Sequence, residues 1–273
     1  MQNLSFAYRT VISVAAAGLF AAITAVTAHA DSPQLARVNP PCDAPLDLVR
    51  LARPLPRVAA KIAAHQPLLI VAIGSSSTAG AGASSKAATY PARLAVELKR
   101  YFPGTPVTVL NRGIGGEEVA DMLKRFDNAV VAAHPDLVLW QLGTNSVIRN
   151  HPLNDHGAAI RAGLRKIRAT GADAVLIDPQ FAPKVIARPH FERMVELIAV
   201  TAKSEDADLF RRFAVMKRWR MRDKLNFDTF VSPDGLHMND WSYACMAKGL
   251  GAAIAEAAQR PMLSATTGPR MVP

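Results

Sequence analysis

From residue 68 onward, short apolar runs alternate with amphipathic helical stretches, and this alternation constrains the fold more than any other feature. The apolar runs are LLIVAIG, VTVLNRG, DLVLWQLG and AVLIDPQ, with a less regular fifth around DLFRRFAVMK. Helical stretches such as YPARLAVELKRYF and HGAAIRAGLRKIRATG separate them, and a last helix is expected from about Asn239 to Gln259. Short, nearly continuous apolar strands separated by helices are typical of a parallel sheet covered on both faces. The pattern therefore predicts an α/β fold with a mostly parallel, five-stranded sheet.

The first thirty residues have the organisation of a secretory signal peptide. Arg9 precedes an Ala-rich apolar stretch over residues 11–26, and residues 28–30 (AHA) form an A-x-A cleavage sequence. We expect cleavage after Ala30 and a periplasmic or secreted mature protein. An uncleaved membrane anchor is the alternative, because the stretch is only slightly shorter than the about 20 residues that span a bilayer. No later segment has the length and apolar character of a transmembrane helix, so the mature chain is expected to lack one.

About 240 residues remain after such a cleavage, which suits one large domain. The predicted organisation is a signal peptide over 1–30, a Pro-rich extension over 31–66, one α/β domain over 67–262 and a flexible tail over 263–273. Cys42 and Cys245 are the two cysteines. In an oxidising compartment they could form a disulfide, and two free buried thiols are the alternative. Without neighbouring histidines they cannot complete a zinc site.

The chain is basic, with a formal charge of +10 from 32 Lys and Arg and 22 Asp and Glu. Such a charge can attract an anionic envelope surface, although a solvated basic face on an exported protein is the simpler explanation. The main basic cluster lacks the motif context of a nucleic-acid module, so no nucleic-acid partner is expected. The cluster consists of Arg211, Arg212, Lys217, Arg218, Arg220, Arg222 and Lys224.

Three of the predicted strands end in polar or glycine-rich segments, where open α/β sheets carry their sites. Residues 74–78 (GSSST) follow the first strand, and their hydroxyls can either react or cap the next helix. They do not form a G-x-S-x-G elbow, because Thr78 stands where the second glycine belongs. Residues 111–116 (NRGIGG) follow the second strand, and Gly116 allows a backbone N–H to approach a ligand closely. Asn145 follows the third strand, where its carboxamide is a suitable oxyanion donor.

Near the C-terminus, Asp234 lies three residues before His237 in a Pro-Asp-Gly turn. This spacing lets the carboxylate orient an imidazole whose other nitrogen faces a serine hydroxyl. The remaining histidines lack such a partner in the sequence, and we expect them to be inert. They are His29, His65, His134, His151, His156 and His190.

Taken together, these segments resemble the SGNH (GDSL-like) hydrolase family over most of the chain from the first strand to the final helix. The resemblance implies a flavodoxin-like, three-layer α/β/α sandwich. It also implies that Ser76 is the nucleophile and that Asp234 and His237 complete a catalytic triad. The Ser76 N–H, Gly116 and Asn145 would form the oxyanion hole. No metal or organic cofactor is required.

Two residues depart from the usual pattern of this family. Ser75 occupies a position where Asp is usual, and Ser146 follows Asn145 where Asp is common. Neither change removes a catalytic group, but both lie beside the predicted site. The fine positioning of that site therefore needs the tertiary structure.

The resemblance implies an exported serine esterase that acts on carboxylic esters, most plausibly short acyl groups on sugars or envelope polysaccharide. The expected partner is thus a small-molecule or glycan ester. The alternatives are a lysophospholipase or lipase-type activity, acyl transfer to an alcohol at the same site, and a catalytically silent glycan-binding domain. These alternatives share the same residues, so the sequence leaves them open.

Overall fold

A five-stranded parallel sheet forms the centre of the fold in the computed structural model, which describes residue 42 and residues 45–260. The strands are β1 (Leu68–Gly74), β2 (Val107–Gly113), β3 (Leu137–Gln141), β4 (Asp173–Ile177) and β5 (Asp208–Phe210). Their order is β2-β1-β3-β4-β5, and every neighbouring pair is parallel. This is the strand order of flavodoxin-like, doubly wound sheets. The predicted fold class is confirmed.

Helices cover both faces of the sheet. On one face α2 (Pro56–Ala63) and α4 (Tyr90–Tyr101) pack against α13 (Asp240–Gln259). On the other face α5 (Val119–Lys124) and α10 (Phe191–Ser204) pack against α8 (His156–Ala169). Residues Lys86–Ala88 and Val131–Ala133 form short 3-10 helices. The described α-helices are α1 (Leu46–Val49), α2 (Pro56–Ala63), α3 (Ser76–Ala79), α4 (Tyr90–Tyr101), α5 (Val119–Lys124), α6 (Phe126–Ala129), α7 (Thr144–Ile148), α8 (His156–Ala169), α9 (Pro183–Ile186), α10 (Phe191–Ser204), α11 (Arg212–Met221), α12 (Phe227–Phe230) and α13 (Asp240–Gln259).

The central strands are buried along their whole length. In β3 all five residues are buried, and in β1 only Leu69 is partly exposed. Both faces of these strands are covered by helices, so their side chains are apolar in succession instead of alternating with polar ones. This burial explains why the apolar runs in the sequence located these strands correctly.

The segment DLFRRFAVMK, in which a fifth strand was expected, forms a short strand followed by a helix. Strand β5 contains only Asp208–Phe210, and the following residues belong to helix α11. Phe213, Met216 and Trp219 are all buried. Their spacing of three residues places them on one face of a helix, whereas a strand would turn successive side chains to opposite faces.

Residues 45–66, which the sequence assigns to an N-terminal extension, pack onto the sheet layer. Val49, Leu51, Leu55 and Val58 are buried in the same hydrophobic core as the strands. The predicted signal peptide over 1–30 and the tail over 263–273 lie outside the described residues. Within residues 45–260, no helix combines the length and the apolar character that a bilayer crossing requires.

A disulfide joins Cys42 to Cys245 in helix α13, across 203 residues of sequence. The sequence left this pairing open. Cys245 is buried, so the bond anchors the start of the described chain to the helical layer beneath it.

Candidate active site

The predicted site residues gather at the edge of the sheet where the parallel strands end. Gly74 at the end of β1 pairs in register with Gly113 at the end of β2. The turn after β3 begins at Gly143, which has a φ of +91°, and leads directly into helix α7 with Asn145. Parallel strands direct their carboxyl ends to one edge. Segments far apart in sequence therefore meet there.

The turn that carries Ser76 is anchored by Gln141, the last residue of β3. The backbone N–H of Ser75 donates to Gln141 Oε1 over 2.9 Å, and the Ser75 hydroxyl donates to the same oxygen over 3.1 Å. Thr78 Oγ1 donates to that oxygen as well, over 3.3 Å. Ser75 occupies the N-cap position of α3 without making a side-chain cap hydrogen bond. The Ser75 hydroxyl therefore fastens the turn to the neighbouring strand instead of capping the helix.

The structure brings Ser76, His237 and Asp234 into one hydrogen-bonded line. Ser76 Oγ lies 2.8 Å from His237 Nε2, across 161 residues of sequence. On the other side of the imidazole, His237 Nδ1 forms a short contact with Asp234 Oδ2. An ionised carboxylate can only accept hydrogen bonds, so Nδ1 carries a proton and Nε2 is free to accept the one from Ser76. This is the geometry that activates a serine hydroxyl.

Asp234 is held in place by its own turn. Its Oδ1 accepts hydrogen bonds from the Ser232 hydroxyl over 2.8 Å and from the backbone N–H groups of Leu236 and His237 over 2.9 Å each. Burial alone would raise the pKa of the Asp234 carboxyl, but the hydrogen bonds from His237, Leu236 and Ser232 outweigh it and hold that pKa well below its usual value. Asp234 is therefore a carboxylate at neutral pH.

The two predicted oxyanion donors lie on adjacent turns. Gly116 has a φ of +80°, a conformation that strongly favours glycine, so the residue type follows from the turn. A side chain added at the preceding Gly115 would place its Cβ 4.0 Å from Ser76 Cβ, so the glycine-rich turn passes beside the serine. Asn145 Nδ2 donates to the backbone carbonyl of Glu117 over 2.8 Å. This hydrogen bond thus links helix α7, which contains Asn145, to the turn that contains Gly116.

Several residues that the sequence did not single out hold this arrangement together. Gln180 is fully buried; its Oε1 accepts from Thr144 Oγ1 over 2.9 Å, and its Nε2 donates to the backbone carbonyl of Leu236 over 3.1 Å. It therefore links the turn of Asn145 to the turn of His237. Gln180 lies three residues after Ile177, the last residue of β4, and polar residues just beyond a buried strand are a signal that could have identified it.

Two of the histidines expected to be inert take part in a network beside Asn145. His151 Nδ1 lies 3.0 Å from Glu118 Oε1, and His156 Nε2 lies 2.7 Å from Ser146 Oγ. Neither contact involves Ser76. In the described part of the chain, no group of three or more His, Cys, Asp and Glu side chains is placed to hold a metal ion.

A family model described as the non-GDSL lipase-like family matches residues 41–260. A search of curated proteins finds no match. Among solved structures, a two-domain esterase active on acetylated mannans aligns with a TM-score of 0.67 at 19% identity, covering 82% of this chain and 59% of that chain. A catalytic mutant of an acetylxylan esterase from Geobacillus stearothermophilus aligns with a TM-score of 0.59 at 19% identity, covering 68% of this chain and 94% of that one. The chain therefore spans less than two thirds of the length of the mannan esterase, and likeness at this identity establishes the shared fold.

Proposed function

We propose that this member of the non-GDSL lipase-like family is an exported serine esterase that hydrolyses short-acyl esters on sugars or envelope polysaccharide. Its membership of this family is in line with the GDSL-like resemblance of its sequence. The observation that carries this proposal is the line from Ser76 Oγ to His237 Nε2, 2.8 Å apart, and on to Asp234. A serine, a base and an orienting carboxylate in this order are the minimum set for acyl transfer through a covalent intermediate.

In the proposed mechanism, Ser76 Oγ attacks the carbonyl carbon of the ester while His237 Nε2 takes the hydroxyl proton. The tetrahedral intermediate collapses to an acyl-serine, and His237 returns the proton to the departing alcohol. Water, deprotonated by the same imidazole, then attacks the acyl-serine, and His237 returns this proton to Ser76 Oγ as the bond to the serine breaks and the carboxylic acid leaves. Asp234 stays ionised throughout, holds the proton on Nδ1 and stabilises the imidazolium that forms in each step.

The oxyanion would be stabilised by the Ser76 N–H, the Gly116 N–H and the Asn145 amide. Ser76 is the first residue of α3, and the N–H groups of a first helical turn have no acceptor within their own helix. The positive φ of Gly116 and the bond from Asn145 Nδ2 to Glu117 support a preformed pair of donors at the same edge. Fixed donors that need not reorganise during the reaction contribute most to such catalysis.

The proposed substrate class comes from the two structural neighbours. One of them is an esterase active on acetylated mannans, and the other is an acetylxylan esterase. An acetyl or similarly short acyl group on a polysaccharide is therefore the first substrate class to test, and the basic surface of the chain suits an anionic polymer.

Export is supported by the covalent pairing of Cys42 with Cys245. Disulfides persist in oxidising compartments and are rare in the cytosol. Cell fractionation followed by N-terminal sequencing would test this part of the proposal. A mature protein that begins at Asp31 is expected, and a cytosolic chain that retains residues 1–30 would contradict it.

The decisive experiment is hydrolysis of p-nitrophenyl esters, from acetate to octanoate, by the mature protein and its Ser76→Ala variant. We expect turnover that falls with acyl length in the first and a loss of nearly all turnover in the second. Ser77→Ala is the matched control, because Ser77 is adjacent and buried, and its hydroxyl has no hydrogen-bond partner among the described residues. It should retain wild-type activity.

Other outcomes of these experiments would refute the site or favour one of the alternative functions. Activity that persists in Ser76→Ala would refute the site. A rate that rises with acyl length would point to a lysophospholipase or lipase-type enzyme. Transfer of the acyl group to an added sugar, detected by product analysis, would indicate an acyltransferase. Binding of acetylated glycan by both proteins without turnover would indicate a silent binding domain.

A further inference from the structure

Glu118 connects the two turns that carry the proposed oxyanion donors. It lies two residues after Gly116 and reaches across to helix α7, which carries Asn145. Only 13% of its side chain is exposed. Its Oε2 accepts a hydrogen bond from Ser146 Oγ over 2.7 Å, and Ser146 is the residue directly after Asn145.

The other carboxylate oxygen binds the end of the same helix. Arg149 Nη1 donates to Glu118 Oε1 over 2.6 Å, and His151 Nδ1 lies 3.0 Å from this oxygen. The Glu118 side chain also accepts a backbone N–H in the capping box at the start of α5. One carboxylate is thus bonded to its own turn, to the residue beside Asn145 and to the residues after α7.

The hydrogen-bond directions in this network follow from the ionisation of Glu118. Burial would raise the pKa of its carboxyl, but the hydrogen bonds from Arg149, Ser146 and His151 lower it below its usual value. The carboxylate only accepts, so Ser146 donates to it, and the Ser146 oxygen accepts in turn from His156 Nε2 at 2.7 Å. Ser146 is buried with both of its hydrogen-bonding roles satisfied.

The network also places a cation beside the glycine-rich turn. Arg149 Nη2 lies 3.5 Å from the point that a Cβ of Gly116 would occupy. The ion pair with Glu118 orients this guanidinium, because a carboxylate and a guanidinium form hydrogen bonds of defined direction. The positive charge therefore stays close to the backbone N–H that is expected to bind the oxyanion.

We propose that Glu118 is a positioning residue for the oxyanion hole: its carboxylate fixes the Gly116 turn relative to helix α7 and holds Arg149 beside Gly116. This inference rests on the esterase function proposed above. Glu118 itself does not touch the substrate; it acts through Ser146 and Arg149. A misplacement of donors by about 1 Å can lower the rate by roughly 10²-fold.

The test is a Glu118→Gln variant, which keeps the length of the side chain and removes its charge. We expect kcat for p-nitrophenyl acetate to fall by about 10- to 100-fold with little change in KM, since the donors act mainly on the transition state. The second readout is the ratio of rates for p-nitrophenyl acetate and its thionoester. Sulfur accepts hydrogen bonds weakly, so displaced donors reduce the preference for the oxoester, whereas a general loss of stability leaves that ratio unchanged.

Glu256→Gln is the matched control. Glu256 lies in α13, pairs with Arg50 and Arg260, and has a side-chain exposure of 23%. This variant, like Glu118→Gln, loses an ion-paired carboxylate, yet its kcat and its oxoester preference should remain at the wild-type level. A Glu118→Gln variant that lowers only the melting temperature, with kcat and the ratio unchanged, would overturn the proposal.

A second pair of variants tests the contact with Ser146 directly and covers the case in which Glu118→Gln folds poorly. Ser146→Asp places a second carboxylate against Glu118, and we expect a larger loss of kcat than in Ser146→Ala because like charges repel at this distance. Combining Ser146→Asp with Glu118→Gln should restore part of that loss. A double variant no better than Ser146→Asp alone would contradict the proposal.

The labelling rate of Ser76 by a fluorophosphonate probe separates this inference from the proposed function. Labelling that is absent in Ser76→Ala and slower in Glu118→Gln supports both. Labelling that is absent in Ser76→Ala but as fast in Glu118→Gln as in the wild type refutes only the positioning role. A wild-type protein that resists the probe would refute the serine mechanism and, with it, this inference.

Discussion

The side-chain nitrogen of Asn145 lies 2.8 Å from the backbone carbonyl oxygen of Glu117, to which it donates a hydrogen bond. A carboxamide nitrogen carries two hydrogens. One is therefore used to fix the amide against the glycine-rich turn, and the second remains for an oxyanion. The same bond that fixes the orientation of Asn145 also sets its position relative to Gly116.

We predict that Asn145→Ala lowers kcat for p-nitrophenyl acetate by roughly 10²- to 10³-fold, because one oxyanion donor is lost. KM should change little, since the donor acts on the transition state. Steady-state kinetics of the folded variant checks this. Asn154→Ala, at an exposed position in the following loop, should behave like the wild type. A variant at position 145 with wild-type kcat would remove Asn145 from the mechanism.

The second prediction concerns the packing of helix α8 on the sheet. A Cβ at Gly163 would lie 2.2 Å from Cη2 of Trp140, whose side chain is fully buried in β3. Gly163→Ala should therefore lower the free energy of unfolding by about 1–3 kcal/mol, since a packed core has no room for the added methyl group. Urea denaturation provides the measurement.

Gly157→Ala is a control in the same helix. The nearest atoms to its added Cβ, on Arg161 and Leu197, lie at an ordinary contact distance of 3.4 Å. Alanine is favoured over glycine in a helix by up to about 1 kcal/mol, so this variant should be neutral or more stable. Equal destabilisation by both substitutions would show that contact with Trp140 is not the cause.

The third prediction concerns the Cys42–Cys245 disulfide. Replacing both cysteines with alanine should lower the free energy of unfolding by about 2–5 kcal/mol, because the cross-link restricts the unfolded chain. Reduction of the wild-type protein with dithiothreitol should have a similar effect and should leave the double variant unchanged. Urea curves of the wild type that coincide with and without the reductant would contradict the prediction.

The fourth prediction concerns the pH dependence of stability. Burial raises the pKa of Asp173 from 3.8 to about 6. The neutral carboxyl is thus favoured in the folded state, and its contribution to stability is fully present below about pH 4 and is lost as the pH rises through about 6.

Asp173→Asn tests this because an amide oxygen can still accept the hydrogen bond from the Val58 N–H, which is 3.0 Å long in the wild type. The free energy of unfolding of the wild type should fall more steeply than that of the variant between about pH 4 and about 6. Urea denaturation across this range provides both curves. Parallel curves would show that Asp173 titrates equally in the folded and unfolded states.

The sequence by itself determined those features that depend on the order of residues within a single strand or turn. Apolar runs located the central strands β1 and β3 because both faces of the sheet are covered there, so each of these strands is a continuous apolar segment. The segments that contain Ser76, Gly116 and Asn145 were located because polar and glycine residues at strand ends meet at one edge of such a sheet. The choice of Ser76 and Gly116 within these segments came from the family resemblance. Asp234 and His237 were found because their interaction is local, with a spacing of three residues.

Tertiary structure decided what depends on contacts between distant segments. Gln141 anchors Ser75 across 66 residues, and Gln180 reaches Leu236 across 56. Glu118 meets Ser146 across 28 residues. None of these pairs has a local pattern, because the direction of a side chain at the end of a strand depends on which element packs against it. For the same reason the pairing of the two cysteines followed only from the packed fold.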